Sequence, residues 1–222
     1  MGTQVRDVMG RVAIAVPLNA PFTEIIAVMR RFAVGAVAVV DSDRRPVGVV
    51  SQDDLLLKET DRVRHSVSIY DGHRQRQEHR KAAGVVAAEL MTAPAVTVTP
   101  GTPVREAARL MHDRRVRQLP VIDPVTGRMV GTVHQVDLLK VFTRSPERLR
   151  AEVEEVIRAE VGVDPAALSV SVADGVVTVG GVVERSSLAA HLVEAVRRSE
   201  GVVGVVSELT WARDDVLAAR AL

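Results

Sequence analysis

The chain has no cysteine and hardly any aromatic residues: three Phe, one Tyr and one Trp among 222. Without cysteine there are no disulfides and no thiol catalysis, and the redox compartment is left open. With aromatics at 2%, the interior has to be filled by Val, Ala, Ile and Leu, and hydrophobic residues at 47% are ample for that. Charge of either sign is in balance: 29 basic against 28 acidic residues leave a net charge of +1, with no global pull towards nucleic acid or acidic membranes. Long apolar runs are also missing. None approaches the ~20 residues of a membrane span, and the N-terminus lacks a continuous signal-like stretch. Met1-Gly2 opens like a myristoylation site, but Arg6 stands where that motif needs Ser or Thr. A soluble, cytoplasmic protein is the expectation.

What is present is a repeat. Gly48-Val49-Val50-Ser51-Gln52-Asp53-Asp54-Leu55-Leu56 reads as an apolar strand, a hydroxyl residue at a turn, an acid, then an apolar helix. It recurs 83 positions later as Gly131-Thr132-Val133-His134-Gln135-Val136-Asp137-Leu138-Leu139. Around the first copy, Ala13 to Val16 is a short strand ending at Pro17. Pro21 opens a helix whose apolar face is Ile25, Val28, Met29 and Phe32, with Gly35 as its stop. Val37 to Val40 and Pro46 to Val50 are strands joined by a turn at Asp41-Ser42-Asp43, and a helix starts at Asp53. The second copy keeps the order: Val96 to Val98, a helix through Val104, Ala107, Ala108 and Met111, then Leu119-Pro120-Val121-Ile122-Asp123. Two β-α-β-β-α units are the expectation.

Between the copies lies a basic insert, 59–84, with a helix expected around Gln75 to Ala83. His65, His73, His79 and Asp71 match no common metal-ligand spacing, so no metal is expected. A third unit starts at the Ser145-Pro146 cap. Its helix carries Leu149, Val153, Val156, Ile157 and Val161 and stops at Gly162. Ser169 to Val172, an Asp174-Gly175 hairpin turn, Val176 to Val183, a helix over Ser186 to Ser199, and a strand from Val202 to Trp211 complete an α-β-β-α-β order.

Chemically, Ser51 and Asp54 admit two readings. A Ser with an acid three residues on approximates a capping box, which stabilises a helix by about 1 kcal/mol with no ligand. The same turn could offer a helix N-terminus to a phosphate and a carboxylate to a ribose diol. Nothing in the chain forms a nucleophile–base–acid set or a P-loop, so catalysis is not expected.

The doubled Gly-h-h-Ser-x-x-Asp pattern (h, apolar), with Leu-Pro-Val-Ile-Asp in the second copy, resembles the CBS (cystathionine-beta-synthase-type) domain over roughly residues 1–144. The resemblance implies an α+β fold in which two α/β-like repeats form a pseudo-twofold pair, with two clefts for adenosine-containing ligands. It places the ribose-binding acid at Asp54 and Asp137, and the hydroxyl position at Ser51 and His134. The family draws basic residues from the opposite copy just before the apolar strand. Those positions are Arg117 and Gln118 in one copy and Gly35 and Ala36 in the other, so one competent and one weak or empty cleft are expected. The implied ligand-binding positions are Val49, Ser51, Asp54, Thr99, Val116, Arg117, Thr132, His134 and Asp137. His134 departs from the pattern by lacking the hydroxyl.

Residues 147–211 resemble the BON domain, through the Val-rich hairpin at Asp174-Gly175 and the Gly-Val-Val-Gly-Val-Val strand. That resemblance implies phospholipid or protein association at a membrane periphery and no catalytic residue. Trp211 is expected at a strand end, covering the small core. The resulting parse is repeat 1 (1–58), insert (59–84), repeat 2 (85–144), BON unit (147–212) and tail (213–222). It implies a regulatory module that takes AMP, ADP, ATP, S-adenosylmethionine or an NAD-type molecule and requires no cofactor. A homodimer through the pair and a partner or lipid for the BON unit are expected, and no nucleic acid. The alternative is an envelope-associated adaptor with vestigial clefts.

Overall fold

The computed structural model describes residues 2–61 and 84–216 and divides into two compact units, Met1–Leu138 and Leu139–Leu222. The helix expected over 75–83 and the residues His65, Asp71, His73 and His79 lie outside the described residues.

In the first unit the repeat is realised element by element. The first copy runs α1 (Val5–Val8), β1 (Ala15–Pro17), α2 (Phe22–Phe32), β2 (Ala36–Val40), β3 (Pro46–Ser51) and α3 (Gln52–Asp61). The second runs α4 (Ala87–Leu90), α5 (Val104–Arg114), β4 (Gln118–Ile122), β5 (Met129–His134) and α6 (Gln135–Leu138). β1 lies parallel to β2, and β2 antiparallel to β3; β4 and β5 form the matching antiparallel pair. The strand expected at Val96 to Val98 is reduced to one parallel bridge, Val98 to Val121.

Apolar spacing decides which way the helices face. Ile25 and Met29 of α2 and Val104, Ala107 and Met111 of α5 are buried in the chain's own core. Phe32 is the exception, half-exposed under the Arg31 guanidinium at 5.3 Å. The stop of α2 is not Gly35 but Ala33, in the left-handed region at φ 51°; Arg115 ends α5 in the same way at φ 55°. A Cβ in that region costs about 1–2 kcal/mol, so the sequence gives no glycine to mark either end.

The two repeats are joined by backbone. The segment leading into each copy crosses to the other copy's strand: Gly10 exchanges two hydrogen bonds with Thr132 (2.9 and 3.1 Å), and Thr92 exchanges two with Val49 (2.8 and 3.0 Å). The glycines beside those strands, Gly131 and Gly48, are required by this approach. A Cβ on Gly131 would meet the Gly10 carbonyl oxygen, and one on Gly48 would meet the Met91 side chain.

The second unit opens with a 3₁₀ turn, Leu139–Phe142, then α7 (Pro146–Val156), whose last turn loosens into a π turn over Ile157–Val161. The Ser145 hydroxyl caps α7, accepting from the Arg148 amide at 3.3 Å, and Gly162 at φ 72° closes it. β6 (Ser169–Ala173) and β7 (Val176–Arg185) form a hairpin through Asp174 and Gly175, both at positive φ. After α8 (Ser186–Arg197), β8 (Gly204–Arg213) adds parallel to β7. Leu149, Val153 and Ile157, with Val177, Val179, Leu192 and Val196, make the core. Trp211 pairs with Val183 at the strand's end and is 47% exposed. The segment before α7 is built into this unit: Arg144 bridges Glu152 and Glu200, and a Cβ on Gly201 would lie 2.8 Å from the Val141 carbonyl oxygen.

α8 has no cap of its own, since Arg185 makes no capping bond. Asp215 supplies it from beyond β8, accepting from the Ser187 hydroxyl (2.6 Å), the Ser187 amide (3.0 Å) and the Ser186 hydroxyl (2.9 Å). The Ser187 hydroxyl, then its amide, hold the Asp215 carboxyl down to about 2 from an ordinary 3.8. A depressed value means stabilisation that is present above the unfolded value and lost as pH falls through the folded one. Thermal melts of wild type and Asp215→Asn should therefore differ most above pH 3.8 and converge towards about pH 2. A difference that does not change with pH would contradict the link.

Candidate functional site

Two strand-to-helix turns face one cavity. β2 pairs Ala36 with Ser51 and β4 pairs Gln118 with His134, so Ser51 and His134 hold equivalent places at the ends of β3 and β5. Each turn is tied down by the same backbone bond: Gln52 donates to the Gly35 carbonyl and Gln135 to the Arg117 carbonyl, both at 2.9 Å. The cavity between them measures about 570 Å³, within the roughly 300–1,000 Å³ of small-molecule pockets.

Of the residues expected to bind ligand, Val49, Ser51, Asp54, Val116, Arg117 and His134 line this cavity, whereas Thr99, Thr132 and Asp137 do not. Thr99 turns back on its own loop, where its amide donates to the Thr102 hydroxyl at 3.1 Å. Thr132 is buried in β5 against Gly10. Asp137 accepts from the His134 amide at 3.0 Å and lies 3.3 Å from His134 Nδ1. This cavity reaches both turns. Gly35 and Ala36 line it and put no bulk between them.

Its charge is divided by repeat. Carboxylates come from the first copy, as Asp53 and Asp54, and guanidiniums from the second, as Arg114, Arg115 and Arg117. The positions matching those arginines in the first copy are Phe32, Ala33 and Gly35. Sequence reasoning missed Arg114 and Arg115. No sequence signal marked them: Arg115, not a glycine, ends α5, and that stop puts the Arg-Arg pair at the cavity edge instead of on the helix surface.

The capping reading of Ser51 and Asp54 is realised in full. Asp54 Oδ2 accepts from the Ser51 amide (2.8 Å) and hydroxyl (2.7 Å), and the Asp54 amide donates to the Ser51 hydroxyl at 3.2 Å. With Gln52's amide bonded to Gly35, two of the first three amides of α3 are already satisfied. An anion here would therefore rely on the arginine side chains more than on the helix end. The second turn is different. His134 is about a third exposed as a side chain, yet its Nε2 is shielded from solvent and has no hydrogen-bond partner.

Fold and site together define a tandem-repeat protein with a cleft shared between its repeats. A model of the CBS domain matches residues 5–60 and 86–144, and one of the BON domain matches 145–213. The chain belongs to the CBS-domain family, its repeat pair followed by a C-terminal BON domain. An uncharacterized protein of Methanopyrus kandleri is 29% identical over 118 residues, 53% of this chain and 52% of that protein. The chain spans about half or less of the length of the first curated relatives it matches. Among solved structures, CBSX2 in complex with AMP superposes with a TM-score of 0.53 at 25% identity, covering 63% of this chain and 95% of that one. The CBS pair of protein MJ0100, in complex with 5′-methylthioadenosine and S-adenosyl-L-methionine, gives 0.50 at 20% identity over 64% and 98%, a likeness of fold alone.

Because Ser51 and Asp54 cap one another, their contributions are not independent. In urea titrations without ligand, Ser51→Ala and Asp54→Ala should each destabilise by about 1 kcal/mol, and the double variant by little more than either single. Additive losses would show that the two side chains act separately.

Proposed function

We propose that the chain is a ligand-sensing regulatory protein whose CBS pair binds an adenosine-containing nucleotide in the cavity between the repeats. The observation that carries this reading is the meeting of a carboxylate from one copy with guanidiniums from the other around one pocket. Asp54 is suited to a ribose diol, and Arg117 to a phosphate. The AMP bound by CBSX2 supports the same ligand class. In this reading binding biases the packing of the repeats, and the BON domain or its partner receives the change. Such a bias requires the ligand to bind one packing better than another. A homodimer through the CBS pair belongs to the same proposal, with α3 as the face to probe, since its Leu56 is 59% exposed.

The adaptor reading is favoured by one observation: Val182 and Val206 of the BON sheet stand exposed at 71% and 47%. In that case the BON domain does the work by meeting a lipid or protein, and the cavity has no part in it.

Thermal unfolding of the full chain with AMP, ADP, ATP, S-adenosylmethionine and NADH separates the two. At a hundred times its dissociation constant a ligand adds roughly 2.7 kcal/mol, several degrees for a chain of this size. The expected result is stabilisation by at least one of them, lost in Asp54→Ala beyond the cap's own contribution. No shift with any would overturn the nucleotide reading.

A further inference from the structure

We propose that Gln118 reads the uncharged base of the ligand, its side-chain amide accepting from the amino group of adenine and donating to the ring nitrogen beside it. This rests on the cavity being the nucleotide site proposed above. The resemblance puts basic residues at 117 and 118, and the chain has a guanidinium at the first and a neutral amide at the second.

Gln118 opens β4 and is only 7% exposed. Strand register sets the direction of its side chain. Gln118 pairs with His134, residues directly opposite in an antiparallel pair stand on one face of the sheet, and both line the cavity. A buried side-chain amide is ordinarily hydrogen-bonded, but that of Gln118 has no partner among the described residues. Nor is it closed off. Among the described residues, His134 Nε2 is the one side-chain polar atom that is both shielded from solvent and unpartnered. The Gln118 amide therefore opens onto the space it lines, which is the cavity.

The chemistry of an amide selects its partner. Its NH₂ donates and its carbonyl accepts. A phosphate oxygen only accepts, so a phosphate at Gln118 would leave the buried carbonyl without a donor. Adenine offers an amino donor beside a ring-nitrogen acceptor, the edge that a glutamine pairs with through two bonds. Burial points the same way. Arg114, Arg115 and Arg117 are exposed, which places the cavity's cations at its rim, where a phosphate keeps its contact with water. Gln118 is buried, and the half-buried Val49, Val96 and Val116 give the cavity apolar walls suited to a flat ring. A ribose diol also donates and accepts, but Asp54 is the group suited to it, which leaves the base for Gln118.

The test is isothermal titration calorimetry of the full chain with AMP and with purine riboside 5′-monophosphate. The analogue has the same ring, sugar and phosphate but a hydrogen in place of the amino group. Gln118→Met, close in size and without the amide, is the variant. Wild type should prefer AMP by about tenfold or more, because the analogue leaves the amide carbonyl buried and unpaired. Gln118→Met should bind the two alike, with most of the loss falling on AMP. A wild type that binds both equally, or a variant that keeps the wild-type preference, would overturn the role of Gln118 and leave the nucleotide reading intact. Failure of wild type to bind either probe would overturn both. If the variant binds neither, the side-chain amide resonance of Gln118 in the wild-type NMR spectrum decides. It should shift on addition of AMP and much less with the analogue. No shift, or the same shift with both, would overturn the inference.

Discussion

The backbone exchange between the repeats, Gly10 with Thr132 and Thr92 with Val49, is the constraint on which the rest of the first unit depends. It sets β3 and β5 at a fixed distance and brings their C-terminal ends to a common space. The strand registers then carry Ser51 opposite Ala36 and His134 opposite Gln118. The carboxylates lie on one copy and the guanidiniums on the other. Glycine at 48 and 131 is part of this constraint, since any larger residue meets the crossing segment.

Pseudo-symmetry then makes the differences informative. The two copies share element order, helix stops in the left-handed region and the bond that ties each turn. They differ in the side chains facing the cavity: small residues before β2, arginines before β4, a serine at one turn and a histidine at the other. One half of the cavity is a closed capping box already satisfied by its own hydrogen bonds. The other holds cations and an unsatisfied imidazole nitrogen. Under the proposed nucleotide reading, an anion would meet the second half and a diol the first.

Much of this was legible in the sequence. The repeat, the order of elements, the Asp174-Gly175 turn and the Ser145 cap each follow from local chemistry that the structure reproduces. The left-handed stops at Ala33 and Arg115 were not legible, because neither is glycine and tertiary packing holds them there, and with them Arg114 and Arg115 were missed as cavity residues. The first strand of the second copy was overread, because Val96 to Val98 has the right composition and only Val98 finds a partner. Within the site, the Ser-x-x-Asp spacing pointed to Ser51 and Asp54, and the family resemblance to Arg117. Neither could show that Thr99 bonds within its own loop, that Thr132 is buried in β5 against Gly10, or that Asp137 turns to His134. Those outcomes depend on which neighbour reaches a polar group first. The cap that Asp215 lends to α8 was invisible for the same reason: its donors lie 28 and 29 residues away.

The most direct test of the central claim is amide hydrogen exchange of the full chain with and without saturating AMP. The account predicts slowed exchange in three places at once: Gly35–Ala36 with Ser51–Leu55, Val116–Gln118, and His134–Val136. All three line or adjoin the one cavity although they come from different repeats. Unchanged exchange in these segments at saturating AMP, or slowing confined to residues beyond Leu139, would contradict it.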